Sequence, residues 1–532
     1  MFRRALKPLA TTTLLVGPPS AYIYYRYTTP SKPQTFDVSV RELGPDGKPM
    51  KLTRSFNLLP MSTVNTRITE HATLKASPDL EGKIWKYTTA RLSSNDPIED
   101  ANAEAIISKI SNASGSTTDQ LMFSAVMDGH AGVHTSQLLS RVLLPAVSLE
   151  LAKLVQETSH TKSSALEYLS SVFSLRGATP ERGLHVHPSP EAVSLAIQRA
   201  FDNLDFEIVN GPLRILAANA NHGSKGIIPD LSRHPMALAS MLPALSGSCA
   251  IMAAIDPALD DIYVACTGDC RAVAGIWEEP EDGTAQWRVE VLSQDQTGRN
   301  PNELKRLQSE HPVNEADDVV RRGRILGGLE PSRAFGDARY KWPRQVQEAL
   351  NHAFLVGNDK PMRNPPPLLK TPPYVTATPV VTHRKLGLHT RSSKPAAPPR
   401  SSLRFLVLAT DGLWDELSSE EVVALVGGYL AGVKGTIPKS SLSGLVPTTS
   451  GSRGVEGKEK RREKQDGSWA FVDDNVSAHL IRNAFGGGDE DRLRKMLSIP
   501  SPHSRRYRDD VTVTVVWWEA EAEASTSTRA KL

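Results

Sequence analysis

Acidic residues stand at the ends of four apolar runs that have the length and composition of β-strands. Asp128 and Asp411 directly follow such runs, Asp269 follows one after a Thr-Gly pair, and Asp509 begins one that is rich in valine. Strands of one core can bring such ends to a single edge of a sheet. Clustered carboxylates repel one another unless cations neutralise them, and Mg²⁺ and Mn²⁺ prefer oxygen ligands of this kind. The pattern predicts a divalent-metal site and hydrolytic chemistry.

The residues that follow Asp128 suit the hydrolysis of a phosphate. Two adjacent cations need a carboxylate that bridges them, and Asp128 can supply it. The carbonyl of Gly129 can approach a cation closely because glycine has no side chain. Water held between two cations loses a proton near neutral pH, and the cations offset the charge of the phosphoryl oxygens. His130, with an ordinary pKa of about 6.5, can protonate a departing oxygen.

Each of these residues also has a purely structural explanation. The pairs Asp128–Gly129 and Asp411–Gly412 are, taken alone, typical of turns, and Gly268–Asp269 could form a hairpin turn. A single histidine after a glycine is more often a surface or capping residue than an acid catalyst. The combination of four acid-bearing strand ends favours the catalytic interpretation.

Composition excludes several other classes of protein. The chain has 532 residues, of which 39% are hydrophobic, and its 38 prolines and 36 glycines indicate one large domain with long insertions. A net charge of +3 gives no support for a nucleic-acid partner. The three cysteines lie in or beside apolar runs, which favours buried reduced thiols over disulfides. The sequence contains no CxxC pair, so it gives no indication of a zinc site.

The N-terminal segment, residues 1–36, has the composition of a mitochondrial presequence. It contains no Asp or Glu, and it mixes basic residues such as Arg3 and Arg4 with hydroxyl and apolar residues. One alternative is a membrane anchor, which would bring the chain into contact with a membrane. The apolar stretch Leu9–Tyr25 is short for a span and is broken by Pro18–Pro19. A disordered basic tail is the other alternative.

The rest of the chain divides by composition. Helices are predicted after Gly132 and from Pro190, with Ser189 as the N-cap of the second. The predicted organisation is an extended lead-in over 37–83, a catalytic domain over 84–518 and a polar tail over 519–532. Ser-, Pro- or Lys-rich stretches predict insertions in that domain near 156–188, 384–402 and 434–468.

Seven motifs together resemble the type 2C metal-dependent serine/threonine protein phosphatases. They occur in the family's order and span residues 84–518, and as a set they are highly specific. They are Pro97–Asp100, Val126–Gly132, Ser246–Ala250, Thr267–Ala272, Ser332–Asp337, Ala409–Asp415 and Arg508–Val513. Within the family the chain is most similar to the mitochondrial pyruvate dehydrogenase phosphatases, on segments such as Ser94–Asp100 and Phe335–Trp342. The resemblance implies an α+β fold, in which two packed antiparallel β-sheets are flanked by helices.

The resemblance also implies a role for each matching residue. Asp128 would bridge two Mg²⁺ or Mn²⁺ ions and Gly129 would offer its carbonyl. His130 would be the general acid, and no covalent phosphoenzyme is implied. The further metal residues are Asp411 and Asp509 on the first ion, Glu99 acting through water, and Asp269 with Asp415 at a weaker third position.

The phosphate-binding group is where the chain departs from the wider family. The family has an arginine four residues before the glutamate, where this chain has Asn95, a feature that the pyruvate dehydrogenase subgroup shares. Arg91 is an alternative group to bind the substrate phosphate. Asp510 also stands where much of the family has asparagine.

The predicted function is removal of phosphate from phosphoserine or phosphothreonine in a mitochondrial protein, with pyruvate dehydrogenase as the favoured partner by resemblance. The alternatives are an inactive phosphatase fold that serves as a binding scaffold, and an active type 2C phosphatase with another mitochondrial substrate. A two-metal nuclease would share the metal chemistry, but the chain has no P-loop and no basic aromatic stripe. The sequence leaves open whether the protein lies in the matrix or the intermembrane space.

Overall fold

A computed structural model describes residues 34–44, 48–78, 83–110, 118–159, 188–220, 228–279, 285–387, 401–451 and 466–520. Two large β-sheets dominate this part of the chain. The first has seven strands, all antiparallel to their neighbours except the parallel pair at one edge. In spatial order they are β17 (Thr448–Thr449), β10 (Gln286–Val291), β9 (Arg271–Glu278), β15 (Ser401–Ala409), β19 (Val511–Ala520), β4 (Lys83–Leu92) and β3 (Thr73–Pro78).

The second large sheet is antiparallel throughout. Its order is β14 (Val380–Lys385), β8 (Asp261–Thr267), β7 (Gly247–Asp256), β6 (Thr118–His130) and β5 (Ala101–Ile110), and β13 (Phe335–Gly336) also pairs with β7. Every residue of β7 is buried, so its sequence shows a continuous apolar run and no alternation. Three two-stranded antiparallel sheets complete the strands: β1 (Thr35–Leu43) with β2 (Pro49–Asn57), β11 (Val320–Arg321) with β12 (Arg324–Ile325), and β16 (Gly435–Pro438) with β18 (Ser468–Phe471).

Helices flank both large sheets. They are α1 (Met61–Thr69), α2 (His134–Ser159), α3 (Pro190–Asn219), α4 (Ala237–Leu245), α5 (Pro301–Glu310), α6 (Arg344–Leu350), α7 (Asp411–Trp414), α8 (Ser419–Leu430), α9 (Lys439–Leu445), α10 (Val476–Phe485) and α11 (Glu490–Ser498). In the described part of the chain, no helix is both long enough and apolar enough to cross a membrane.

The two large sheets pack face to face through an apolar layer. Trp85 of β4 and Leu406 of β15 meet Met122 of β6 and Ile251 of β7 in this layer, and all four side chains are buried. A second core joins the outer face of the seven-stranded sheet to helices α1, α8 and α10, and a third joins the other sheet to α2, α3 and α4. The predicted α+β fold of two packed antiparallel sheets flanked by helices is confirmed, apart from one short parallel pair.

The two helices predicted from apolar spacing are present. Leu139 and Leu143 of α2 are buried against β6, as the spacing predicts. Helix α3 begins at Pro190, and its N-cap Ser189 accepts a hydrogen bond from the backbone N–H of Ala192 at 3.3 Å. This contact satisfies one of the N–H groups that the first turn of a helix leaves without a partner.

The described residues between 37 and 83, which are 37–44, 48–78 and 83, differ from the predicted extended lead-in. They form the hairpin β1–β2, helix α1 and strand β3, which joins the edge of the seven-stranded sheet. Val64 and Ile68, four residues apart on α1, are both buried in the core on that sheet's outer face. This segment therefore contributes to the folded domain.

The first half of the predicted insertion at 434–468 is structured and is not the disordered surface segment that its composition predicts. Residues 435–449 form β16, α9 and β17, and β17 pairs with β10 of the large sheet. Leu442 and Val446 are buried in the main core, although the residues around them are mostly small or polar. Burial of these two side chains is enough to attach the segment to the domain.

Several other predicted segments lie largely outside the described residues. These are the presequence (residues 1–33 of 1–36), most of the insertions near 156–188 and 384–402, and the tail after Ala520. The catalytic domain predicted over 84–518 begins and ends on strands, since β4 starts at Lys83 and β19 ends at Ala520.

Candidate active site

Three carboxylates from three separate segments meet at one edge of the sandwich. Asp128, Asp269 and Asp411 each offer an oxygen, and these oxygens all lie within 4.8 Å of one another. Asp128 lies near the end of β6, Asp269 lies in the turn between β8 and β9, and Asp411 begins α7 directly after β15. The sequence analysis predicted that strand ends would bring these acids together, and the structure places them so.

The electrostatics of this cluster indicate a site for cations. Burial, reinforced by Asp411, Asp100 and Asp269, raises the pKa of Asp128 well above its usual range. Burial and the neighbouring Asp510 likewise raise the pKa of Asp100, although hydroxyl groups of Thr512 and Thr410 oppose the rise. Grouped carboxylates in low dielectric ionise fully only when positive charge is added. An all-oxygen donor set of this kind fits Mg²⁺ or Mn²⁺.

Asp510 organises the loop that carries Glu99. Its carboxylate accepts hydrogen bonds from the backbone N–H groups of Ser94 at 2.5 Å, Asn95 at 2.8 Å and Glu99 at 2.8 Å. The side-chain amide of Asn95 donates to Asp510 at 2.9 Å and to Glu99 at 3.1 Å. Asn95, a predicted contact for the substrate phosphate, is thus engaged within this loop.

Glu99 and Gly129 lie against each other. Glu99 Oε1 accepts a hydrogen bond from the N–H of Gly132 at 2.6 Å, which ties the glutamate to the turn after β6. A Cβ added at Gly129 would lie 2.1 Å from the carbonyl oxygen of Glu99 and 2.8 Å from Ser136 Oγ. The close approach of two backbone segments therefore requires glycine at 129.

His130 lies beside the cluster and contacts an acid that the sequence analysis gave no role. Its Nε2 is 2.6 Å from Asp337 Oδ2. Burial alone would lower the pKa of His130, but Asp337, Asp269 and Glu99 together outweigh burial and raise it. His130 and Asp128 share one face of β6, because side chains two apart on a strand point the same way.

The remaining predicted residues lie outside the three-carboxylate group. Asp509 forms an ion pair with Arg505, and its Oδ1 accepts a hydrogen bond from the N–H of Asp510 at 2.7 Å. Asp415 is exposed at the end of α7, where its N–H donates to the carbonyl of Asp411 at 2.8 Å. Arg91 is half-buried on β4, and its Cα pairs with that of Thr512 on β19.

Three acids near the site were missed as participants, although each lies within a recognised motif. Asp100 immediately precedes β5 and Asp510 immediately precedes β19. Both follow the rule that found the metal residues, an acid at a strand boundary, and applying it to every strand would have found them. Asp337 also follows a strand, but β13 has only two residues and leaves no apolar run in the sequence, and the contact of Asp337 with His130 joins residues 207 apart.

One buried thiol also contacts the cluster. Cys249 Sγ donates to Asp269 Oδ1 at 3.1 Å, and a Cβ at Gly268 would lie 2.2 Å from that sulfur. All three cysteines are free and buried, as predicted.

Comparison with known proteins gives consistent matches. The family model described as Protein phosphatase 2C matches residues 227–431. A protein phosphatase 2C homolog of Schizosaccharomyces pombe is 35% identical over 443 residues, covering 82% of this chain and 81% of that protein. The mitochondrial pyruvate dehydrogenase (acetyl-transferring) phosphatase 1 of Saccharomyces cerevisiae is 34% identical, covering 82% of this chain and 69% of its own length. The human protein of the same name is 35% identical over 82% of this chain and 79% of its own.

Proposed function

The chain belongs to the protein phosphatase 2C family of metal-dependent serine/threonine phosphatases, and from this premise we propose that it dephosphorylates phosphoserine residues of the pyruvate dehydrogenase complex in mitochondria. The cluster of Asp128, Asp269 and Asp411 is the observation that carries the chemistry. The choice of substrate is supported by relatives named as pyruvate dehydrogenase phosphatases that match four-fifths of the chain.

The site would hold two cations, Mg²⁺ or Mn²⁺. Asp128 would contact both ions and Gly129 would contribute its carbonyl, while Asp411 and Asp509 would complete the carboxylate set of the first. Glu99 would act through water, and Asp269 and Asp415 would serve a weaker third position. When bound, the ions would supply a nucleophile from water and offset charge on the phosphoryl group.

The other residues of the site have distinct tasks. Asp510 holds the loop of residues 94–99, which carries Glu99, in shape through its four hydrogen bonds. His130, 20% exposed at the edge of the cluster, would protonate the oxygen that leaves with serine or threonine. Arg91 and Asn95 stay proposed contacts for the substrate phosphate, and the engagement of Asn95 with two carboxylates favours Arg91.

Two independent observations support the proposed mitochondrial localisation. Residues 1–36 lack acidic residues and have the composition of a presequence. Several relatives are named as mitochondrial proteins. Mass spectrometry of the mature N-terminus would test this, since removal of about the first 30 residues is expected for a presequence. An intact N-terminus would instead indicate a retained segment, in contact with a membrane or free.

The activity is tested with a phosphoserine peptide and the full chain. Phosphate release is expected only with added Mg²⁺ or Mn²⁺, and Asp128→Asn should abolish it without unfolding the protein. Full activity after exhaustive chelation would contradict the metal assignment. The substrate is tested by phosphoproteomics of mitochondria from cells that lack the protein. Raised phosphorylation of pyruvate dehydrogenase serines is expected, and an increase confined to other proteins would refute that substrate.

A further inference from the structure

The imidazole of His130 is held by one buried carboxylate. Asp337 Oδ2 lies 2.6 Å from His130 Nε2, and the Asp337 side chain is almost wholly buried. Gly247, opposite His130 on β7, encloses the pair, since a Cβ there would lie 2.1 Å from Nε2 and 2.3 Å from Asp337 Oδ2. The contact therefore lies in a space that only a glycine leaves open.

We propose that Asp337 is a positioning residue for His130. Its carboxylate accepts a hydrogen bond from the Nε2–H group and fixes the orientation of the ring. Nδ1 is then left to give a proton to the departing serine or threonine oxygen. This inference rests on the proposed phosphatase function and adds a residue to which the sequence analysis assigned no role.

The Asp337 carboxylate is itself held by the surrounding backbone. Residue 337 has a left-handed conformation with φ of 47°, and its N–H donates to the carbonyl of Ser246 at 3.0 Å. The preceding residue, Gly336, pairs with Gly247 on β7 and donates its N–H to Asp205 Oδ1 at 2.9 Å. Lys341 Nζ binds both oxygens of Asp205, at 2.7 and 2.8 Å. These contacts fix Asp337 where it meets the imidazole.

The second ring nitrogen is the one left for the substrate. Among the residues that the structure describes, Nδ1 of His130 has no hydrogen-bond partner, whereas Nε2 is occupied by Asp337. The side chain is 20% exposed, so the ring can be reached from solvent. His130 also lies on the same face of β6 as Asp128, two residues away.

In the proposed step, one proton passes from the His130 ring to the departing oxygen. Water attacks phosphorus, the bond from phosphorus to the seryl oxygen breaks, and its electron pair stays on that oxygen. The oxygen takes the proton from Nδ1 and leaves as a hydroxyl. The proton lost by the attacking water goes to solvent, and solvent reprotonates Nδ1. The proton on Nε2 stays on the ring throughout, in a hydrogen bond to the Asp337 carboxylate.

The test is Asp337→Asn in the full-length protein. Asparagine has the same shape and tolerates the left-handed backbone, so the fold should be retained. Its neutral amide replaces the charged carboxylate that holds Nε2, so the ring loses the contact that orients Nδ1 toward the departing oxygen. We expect kcat for a phosphoserine peptide to fall by about 10²- to 10³-fold, the range of general acid catalysis. With p-nitrophenyl phosphate, whose leaving group needs no proton, we expect a change of less than about threefold.

Two further variants make the result specific. In a His130→Ala background, Asp337→Asn should cause no additional loss, because both changes remove the same proton donor. Asp359→Asn is the matched control, since Asp359 is exposed and has a similar left-handed backbone with φ of 53°. It should leave both activities and the melting temperature unchanged.

The outcomes separate this inference from the function on which it rests. Equal losses of Asp337→Asn on both substrates, or additive losses with His130→Ala, would overturn the positioning role while leaving the phosphatase intact. Absence of activity in the unmodified protein with Mg²⁺ or Mn²⁺ would instead contradict the proposed function itself.

Discussion

Asp411→Asn should stabilise the protein when metal is absent and make it less stable than the unmodified protein when metal is bound. In the metal-free protein the Asp411 carboxylate lies within 4.8 Å of oxygens on Asp128 and Asp269. Two unit charges at that separation repel by roughly 3 kcal/mol at an effective dielectric of about 20. Protonation of Asp128, whose pKa burial and its acidic neighbours raise, relieves part of this repulsion. Removal of one charge should therefore stabilise the metal-free protein by ~1–3 kcal/mol.

When metal is bound, the unmodified protein should be more stable than the Asp411→Asn variant. A cation at about 100 times its Kd stabilises the native state by about 2.7 kcal/mol, and the variant, having lost a ligand, should gain little of this. For a domain of this size the difference corresponds to a shift in Tm of roughly 3–6 °C. The variant should thus melt above the unmodified protein in EDTA and below it in Mg²⁺ or Mn²⁺.

The assay is thermal unfolding followed by circular dichroism, in EDTA and in a metal titration. Asp317→Asn, which removes an exposed carboxylate, is the control for charge alone and should show no inversion. If Asp411→Asn lowered Tm equally in both conditions, the carboxylate would be a structural hydrogen-bond acceptor and not a metal ligand. If the unmodified protein gained no stability from either metal, the cation site itself would be wrong.

Three further predictions concern single residues. Gly129→Ala should lower kcat at least ~10-fold, because its Cβ would lie 2.1 Å from the Glu99 carbonyl oxygen; an unchanged steady-state rate would mean that this loop moves freely. His479 is buried, and burial first of all lowers its pKa to about 4. The unfolded chain therefore binds more protons as pH falls from about 6.5 toward 4, and about 3 kcal/mol of stability should be lost across that window. Urea unfolding at pH 7 and pH 5 should show this loss of stability in the unmodified protein, and His479→Leu should abolish it. If the unmodified protein and the variant had the same pH dependence, another group would be responsible. Glu303→Gln should destabilise the protein by ~3–5 kcal/mol, since it breaks a buried pair with Arg333 at 2.8 Å; a change in urea midpoint equivalent to less than ~1 kcal/mol would show that the pair is replaceable.

The clustering of three predicted acids was foreseeable because its physical cause is local in sequence. An acid directly after a buried strand must lie at the edge of a sheet, and this reasoning placed Asp128, Asp269 and Asp411 correctly. The same rule locates Asp510 at the start of β19, but it does not reveal the role of this residue, which comes from four hydrogen bonds to a loop more than 400 residues earlier. Nor could this reasoning reveal the role of Asp337, because its contact with His130 joins distant residues and produces no recognisable pattern in the sequence.

The segments that were misassigned show the limit of composition as a guide. Residues around Leu442 are mostly Ser, Gly and Lys, which indicates a solvated loop, yet two apolar side chains four apart fix the segment to the core. Val64 and Ile68 do the same for α1. In both cases the apolar spacing was present but short, and a tertiary contact decided the outcome.

The hold of Asp510 on the loop of residues 94–99 has a consequence for biosynthesis. The loop is made early, but the group that shapes it lies at the start of β19, the last strand of the described chain, which is inserted between β15 and β4. A nascent or truncated polypeptide that ends before residue 510 lacks both the central strand and the acceptor for those N–H groups. Such fragments should be inert, so the enzyme becomes competent only once translation has passed its final strand.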